Sequence, residues 1–210
     1  NCCHLKAVET FHRVRGRLPL NVKFMIEGEE EIGSPSLEGF MRANAERLKA
    51  DYAVVSDTSM FAEGVPALMY GLRGLSYLEV VLTGPDHDLH SGGYGGSVDN
   101  PANVLVRVLA TLQDNNGIVT VPGFYDDVLP LEDWERAAFA ALPFDEAEYQ
   151  RSVGAPALFG EKGFSTLERR WGRPTLDING IYGGYQGPGA KTIIPSRAAA
   201  KVSMRLVPRQ

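Results

Sequence analysis

Four carboxylates fall within five positions at Glu27-Gly28-Glu29-Glu30-Glu31, directly behind the apolar run Val22 to Ile26. Like charges this close repel, so a fold that keeps them together gains most when a cation or a proton-transfer role offsets the cost. At the end of a buried strand such a cluster suits a metal ion, with a neighbouring carboxylate as general base. A run of glutamates on its own also fits a solvated acidic turn. Two further stretches carry reactive residue types. Asp86-His87-Asp88-Leu89-His90-Ser91-Gly92-Gly93-Tyr94-Gly95-Gly96 holds two of the four histidines in a glycine-rich loop. A histidine so placed serves as metal ligand, proton shuttle or oxyanion donor, or is simply a surface residue. Gly187-Pro188-Gly189-Ala190-Lys191-Thr192, followed by Arg205, pairs a loop hydroxyl with a guanidinium suited to holding a carboxylate.

The elements that position these residues follow from periodicity. Residues 3–14 read as a helix with Leu5, Val8 and Val14 inward, and Cys2 and Cys3 read as part of its buried side. Val22 to Ile26 is apolar enough for a strand buried on both faces. Ser34 and Pro35 then read as N-cap and first position of a helix whose stripe is Leu37, Phe40, Met41 and Leu48. Tyr52 to Val55 is a second strand-like run, ending on Ser56-Asp57. This alternation predicts an α/β domain with a parallel sheet, in which loops beyond the carboxyl ends of strands hold ligands. Glu30, Glu31 and Asp57 all occupy that position.

The pattern changes after Gly74. Residues 75–82 read as a strand, and Asn100-Pro101 caps a helix with Val104, Leu105, Val108, Leu109 and Leu112 on one face. Residues 118–173 read as an insertion of short helices. Thr175 to Tyr182 and Ala198 to Val207 read as strands, with Val202, Met204 and Leu206 on one face and Arg205 on the other. Residues 75–210 thus predict an α+β unit, a helix on an antiparallel sheet, distinct from residues 1–74.

Hydrophobic content of 44% with 22% charged residues is that of a soluble globular protein. The net charge of −5 and the lack of a dense Lys/Arg run argue against nucleic acid as a partner. No apolar run is long enough to span a membrane. Two adjacent cysteines make no disulfide framework and suit a reducing, cytoplasmic compartment. The chain opens on Asn1 and ends on Gln210 inside a strand-like pattern, as a piece of a longer protein would.

The stretches EGEEEIGSPSL, DYAVVSD, HDLHSGGYGG and GAKTIIPSRAAAKVSMRLVP together resemble the di-zinc metallopeptidases that include carnosinase-type dipeptidases, carboxypeptidase G and succinyl-diaminopimelate desuccinylase. The resemblance runs from about His4 to Pro208 and is strongest for the carnosinase-like branch. It implies a catalytic α/β domain interrupted by a lid that also forms the dimer contact. It implies hydrolysis of dipeptides or N-acyl amino acids by a water held between two zinc ions, with manganese or cobalt as alternatives. Glu30 would be the general base and acid, with Glu31 and Asp57 as ligands to different metals. His90 would stabilise the oxyanion in the partner subunit's site, and Thr192 and Arg205 would contact the substrate's backbone and terminal carboxylate. The family's remaining ligands, two histidines and a bridging aspartate, match nothing in these residues. The alternative reading is therefore a catalytically inactive truncated or dimerising module of the same fold.

Overall fold

The computed structural model describes residues 2–210, which divide into two compact units, residues 2–67 and 68–210. In the first unit, α1 (Cys2–Arg15) forms where expected and ends with Gly16 in a left-handed conformation (φ 73°), its N–H on the His12 carbonyl at 2.7 Å. Its basic last turn, His12, Arg13 and Arg15, complements the negative end of the helix dipole. The expected burial does not follow. No residue of α1 is buried, Leu5 and Val14 are exposed, and so are Cys2 and Cys3, because nothing in residues 2–67 covers that stripe.

Two expected strands are also absent. Residues 22–26 and 52–55 run without ladder partners, with Ile26 63% and Val55 90% exposed. A parallel strand is stable only when neighbours take its N–H and C=O groups and helices cover both faces. The described residues of this unit supply neither, so the predicted parallel sheet is not formed here. The helix predicted from Ser34 begins later, as α2 (Leu37–Ala43) with Ser36 at the N-cap. Ser34 instead takes a positive φ of 50°, because its N–H closes the acidic turn onto the Glu29 carbonyl at 2.9 Å. Asn44 then breaks the stripe, and α3 (Ala45–Leu48) is a separate turn. Its orphan carbonyls take the Lys23 ammonium, which donates to Arg47 O and Lys49 O at 2.7 Å each.

The second unit has the predicted α+β architecture. Strands β1 (Gly74–Thr83), β3 (Thr175–Gly183) and β5 (Arg197–Leu206) form an antiparallel sheet in the order β1-β5-β3. The register runs from Gly74 opposite Leu206 to Thr83 opposite Arg197, and from Thr175 opposite Arg205 to Gly183 opposite Ala198. Asn100 accepts from Ala102 N at 2.9 Å and starts α5 (Pro101–Ala110), as its sequence predicted. Leu105, only 1% exposed, and Leu109 press on Leu176, Ala198, Ala200 and Val202, with Val119 alongside. The small residues of β5 let the helix approach closely. A two-stranded ribbon, β2 (Leu89–His90) with β4 (Ile193–Ile194), and a single turn, α4 (Ser91–Tyr94), complete the unit's loop end.

Residues 118–173 carry three short helices: α6 (Asp133–Ala140), α7 (Glu146–Ser152) and α8 (Thr166–Trp171). Each starts on a side chain that takes a free helix N–H or closes a reciprocal box, as Ser165 and Glu168 do at 3.3 and 2.7 Å. The Arg173 guanidinium forks onto Glu161 with two bonds of 2.7 Å and lies over the Phe164 ring at 4.4 Å, which ties the insertion to the start of β3. No helix among the described residues is long and apolar enough to cross a membrane.

Candidate functional site

The acidic stretch folds as a tight turn that sorts its four carboxylates into two kinds. Glu30–Ile32 is one turn of 3-10 helix, closed by Gly33 at φ 85°, whose N–H reaches Glu30 O at 2.9 Å. Only glycine takes that conformation without strain. Glu27 accepts the Glu29 N–H at 2.5 Å, and Glu29 accepts Ser36 N at 3.0 Å and the Ser36 hydroxyl at 3.2 Å. These two half-buried acids hold the turn. Glu30 and Glu31 are exposed, and neither carboxylate has a hydrogen bond or ion pair within the described residues. Asp57 is likewise exposed, one residue beyond Ser56, whose hydroxyl meets His4 Nε2 at 2.8 Å. Among the described residues no three His, Cys, Asp or Glu side chains converge in a way that could hold a metal ion.

The second cluster is in the other unit and is more tightly built. Leu89 pairs with Ile194 and His90 with Ile193, and Ser91 N donates to Thr192 O at 3.1 Å. This ribbon sets His90 and Thr192, 102 positions apart in sequence, side by side: His90 Nε2 lies 3.0 Å from Thr192 Oγ1. The other ring nitrogen, Nδ1, accepts the Gly92 N–H at 3.0 Å. Glycine at 92 leaves room for the ring in this seat, since a Cβ there would sit 2.8 Å from His90 Cε1. Asp88 clamps the same ribbon from below by accepting Ser196 N at 2.8 Å and the Ser196 hydroxyl at 3.0 Å. Those bonds, backbone first, hold the Asp88 carboxyl below its usual range, with Lys191 and His87 adding to the effect. The glycine-rich loop is braced by Tyr185, whose hydroxyl donates to Pro188 O at 2.8 Å and whose ring faces Lys191 Nζ at 5.6 Å.

Arg205 is not part of that cluster. It projects from the far end of β5, between Leu75 and Thr175, and has no ion-pair or hydrogen-bond partner among the described residues. Arg73, half-buried nearby, has its pKa lowered first by burial, then by the charges of Arg205 and Arg170, with Asp177 opposing. The Arg73 guanidinium donates weakly to Arg173 O at 3.4 Å. Sequence reasoning missed the Asp88–Ser196 clamp and the charges of Arg205 and Arg170 around Arg73. The clamp joins residues 108 positions apart, and only the Asp-x-His spacing hinted at it.

Residues 70–210 match the peptidase dimerisation domain of the M20 family. The chain is 39% identical over 206 residues to a human Beta-Ala-His dipeptidase, covering 97% of this chain and 41% of that protein. It is 38% identical over 206 residues to a Cys-Gly metallodipeptidase of Schizosaccharomyces pombe, covering 97% and 43%. Its fold superposes on the crystal structure of an M20 family metallo-carboxypeptidase from Sulfolobus solfataricus with a TM-score of 0.80 at 37% identity, covering 97% of this chain and 46% of that one. The chain therefore spans less than half the length of the relatives it matches. With its dimerisation domain matched across most of its length and these identities beyond it, the chain belongs to the M20 peptidase family.

Proposed function

We propose that the protein carrying these residues is a metal-dependent hydrolase of dipeptides or N-acyl amino acids. It acts as a homodimer whose contact lies in residues 75–210, with residues 1–74 as part of the catalytic domain. The observation that carries this reading is the His90–Thr192 pair: two polar donors, fixed by a ribbon and presented to solvent within an M20 dimerisation domain. The dipeptidase names of the relatives support dipeptides as the substrate class. Glu30, whose carboxylate has no partner among the described residues, takes the proton of the attacking water and returns it to the leaving amine. His90 donates to the oxygen that gains negative charge, Thr192 meets the substrate backbone, and Arg205 meets the terminal carboxylate.

The described residues do not by themselves fit a metal site, because Glu31 and Asp57 offer two ligands where each zinc takes about four. Glu31 and Asp57 are this stretch's share of a two-zinc centre in the complete protein, whose oxygen ligands also suit manganese or cobalt. The same shortfall favours a second statement: the 210 residues alone are catalytically inert. The test uses the full-length protein with β-Ala-His and Cys-Gly dipeptides. Glu30→Gln should lose most turnover with metal content near normal, and Glu31→Gln should lose metal as well. The reverse pattern would exchange the two roles, and metal-dependent turnover by the 210-residue chain would show the site to be misplaced.

A further inference from the structure

We infer that Thr192 is a positioning residue for His90, fixing which ring nitrogen carries the proton and where that proton points. The inference rests on the reading of His90 as the donor to the developing oxyanion. Its basis is the pair of contacts on the ring. Nδ1 accepts the Gly92 N–H at 3.0 Å, so Nδ1 carries no proton and the neutral ring carries it on Nε2. Nε2 then donates across 3.0 Å to Thr192 Oγ1, which accepts. The Thr192 hydroxyl proton is left free to turn outward, so the pair presents an N–H and an O–H from neighbouring positions.

Rotation of the ring is opposed from both sides. The ribbon register His90–Ile193 and the Ser91 N to Thr192 O bond of 3.1 Å lock the two backbones together. The Asp88 clamp on Ser196 holds the far side of the ribbon. Thr192 Oγ1 is thus the resting acceptor of the Nε2–H, at 3.0 Å. An incoming substrate oxygen displaces it without requiring the ring to find its orientation or tautomer at the moment of reaction. Pre-set donors are the ones that accelerate such steps, because no reorganisation accompanies charge development.

The experiment is a double-mutant cycle in the full-length dimeric enzyme with Cys-Gly as substrate. Thr192→Val should lower kcat about tenfold, beyond any rise in KM from its lost substrate contact, and Thr192→Ser should restore most of it. In the His90→Ala background, Thr192→Val should cost clearly less than in the parent enzyme, since the group it positions is gone and only its own contact with the substrate backbone is left to lose. Nitrogen NMR of histidine-labelled enzyme without substrate should find the His90 proton on Nε2, and Thr192→Val should mix the tautomers. Equal fold losses for Thr192→Val in both backgrounds, or a proton on Nδ1 in the parent enzyme, would overturn the inference and leave the proposed hydrolase standing. Full activity in His90→Ala would overturn the reading of His90 as oxyanion donor, and the inference with it.

Discussion

Arg173 offers a quantitative test of what anchors the insertion. The residue is 8% exposed, and its guanidinium makes two bonds of 2.7 Å to the Glu161 carboxylate and lies over Phe164 at 4.4 Å and Tyr125 at 5.5 Å. Arg173→Ala removes one half of a pair whose side chains are both nearly closed to water, leaving the Glu161 charge without a partner. Breaking a buried pair from one side costs about 3–5 kcal/mol, mostly as the penalty on the charge left behind. Replacing both partners with apolar residues of similar volume, Arg173→Met with Glu161→Leu, should come within about 2 kcal/mol of the parent, because no charge is then stranded. Urea denaturation of the 210-residue chain reads this directly. Both tryptophans, Trp134 and Trp171, lie in the insertion and report its unfolding by fluorescence. The single variant should lower the thermal midpoint by roughly 10 °C, and the double variant should recover most of that. A single variant within about 1 kcal/mol of the parent would refute the reasoning, as would a double variant no better than the single. Either result would mean that ring stacking or the helices themselves hold the insertion in place.

Partial burial, and then the Glu135 carboxylate that accepts its hydroxyl at 2.9 Å, push the Tyr70 phenol up to about 12. A folded pKa above the ordinary value means that this contact stabilises the fold fully below pH about 10 and is lost as pH rises towards 12. Phenolate absorbance during an alkaline titration should therefore show Tyr70 ionising late, with Tyr125, whose burial raises it too, and Tyr70→Phe should remove one late equivalent. Gly92→Ala places a Cβ 2.8 Å from His90 Cε1, so the ring must move off the Gly92 N–H. In the full-length enzyme it should lower turnover about tenfold without unfolding the chain, measured as kcat alongside circular dichroism. Unchanged turnover would mean that the ring's seat is not needed.

Local signals in the sequence were reliable where packing agreed with them. The strand expected at residues 75–82 forms as Gly74–Thr83, and Asn100 caps the helix it was expected to cap, because both lie on the sheet and helix that share the Leu105 core. The apolar runs at 22–26 and 52–55 have strand composition but no ladder, since composition says what a strand would bury and not whether partners are present. Ser34 carried the residue type of an N-cap and lost the position to Ser36, because the Glu29 carbonyl draws its N–H into the acidic turn. The candidate site residues were named from family resemblance alone. Their arrangement was not legible, because the contacts that build it join positions 102 and 108 apart, and periodicity carries no information on pairs so distant.

That arrangement bears on which active site each residue serves. Thr192 and His90 belong to the ribbon that leaves β5 at its Arg197 end, while Arg205 lies eight residues further along the same strand. At about 3.3 Å per residue, Arg197 and Arg205 are roughly 26 Å apart, whereas an extended dipeptide spans only about 7 Å. One dipeptide is therefore too short to engage both ends of one sheet, so if both ends meet substrate, as proposed above, they do so in the two different active sites of a symmetric dimer. Mixed dimers of full-length variants separate the possibilities. With His90 acting across the dimer, pairing His90→Ala with Glu30→Gln should restore activity to one site, which joins an intact Glu30 to the partner's intact His90. With Arg205 acting on its own chain, pairing Arg205→Ala with Glu30→Gln should restore nothing, because each site then lacks either its base or its guanidinium. Recovery in both mixtures would place Arg205 across the dimer as well. Once subunit exchange is verified, no recovery in the first mixture would put His90 back in its own chain's site or outside the chemistry altogether.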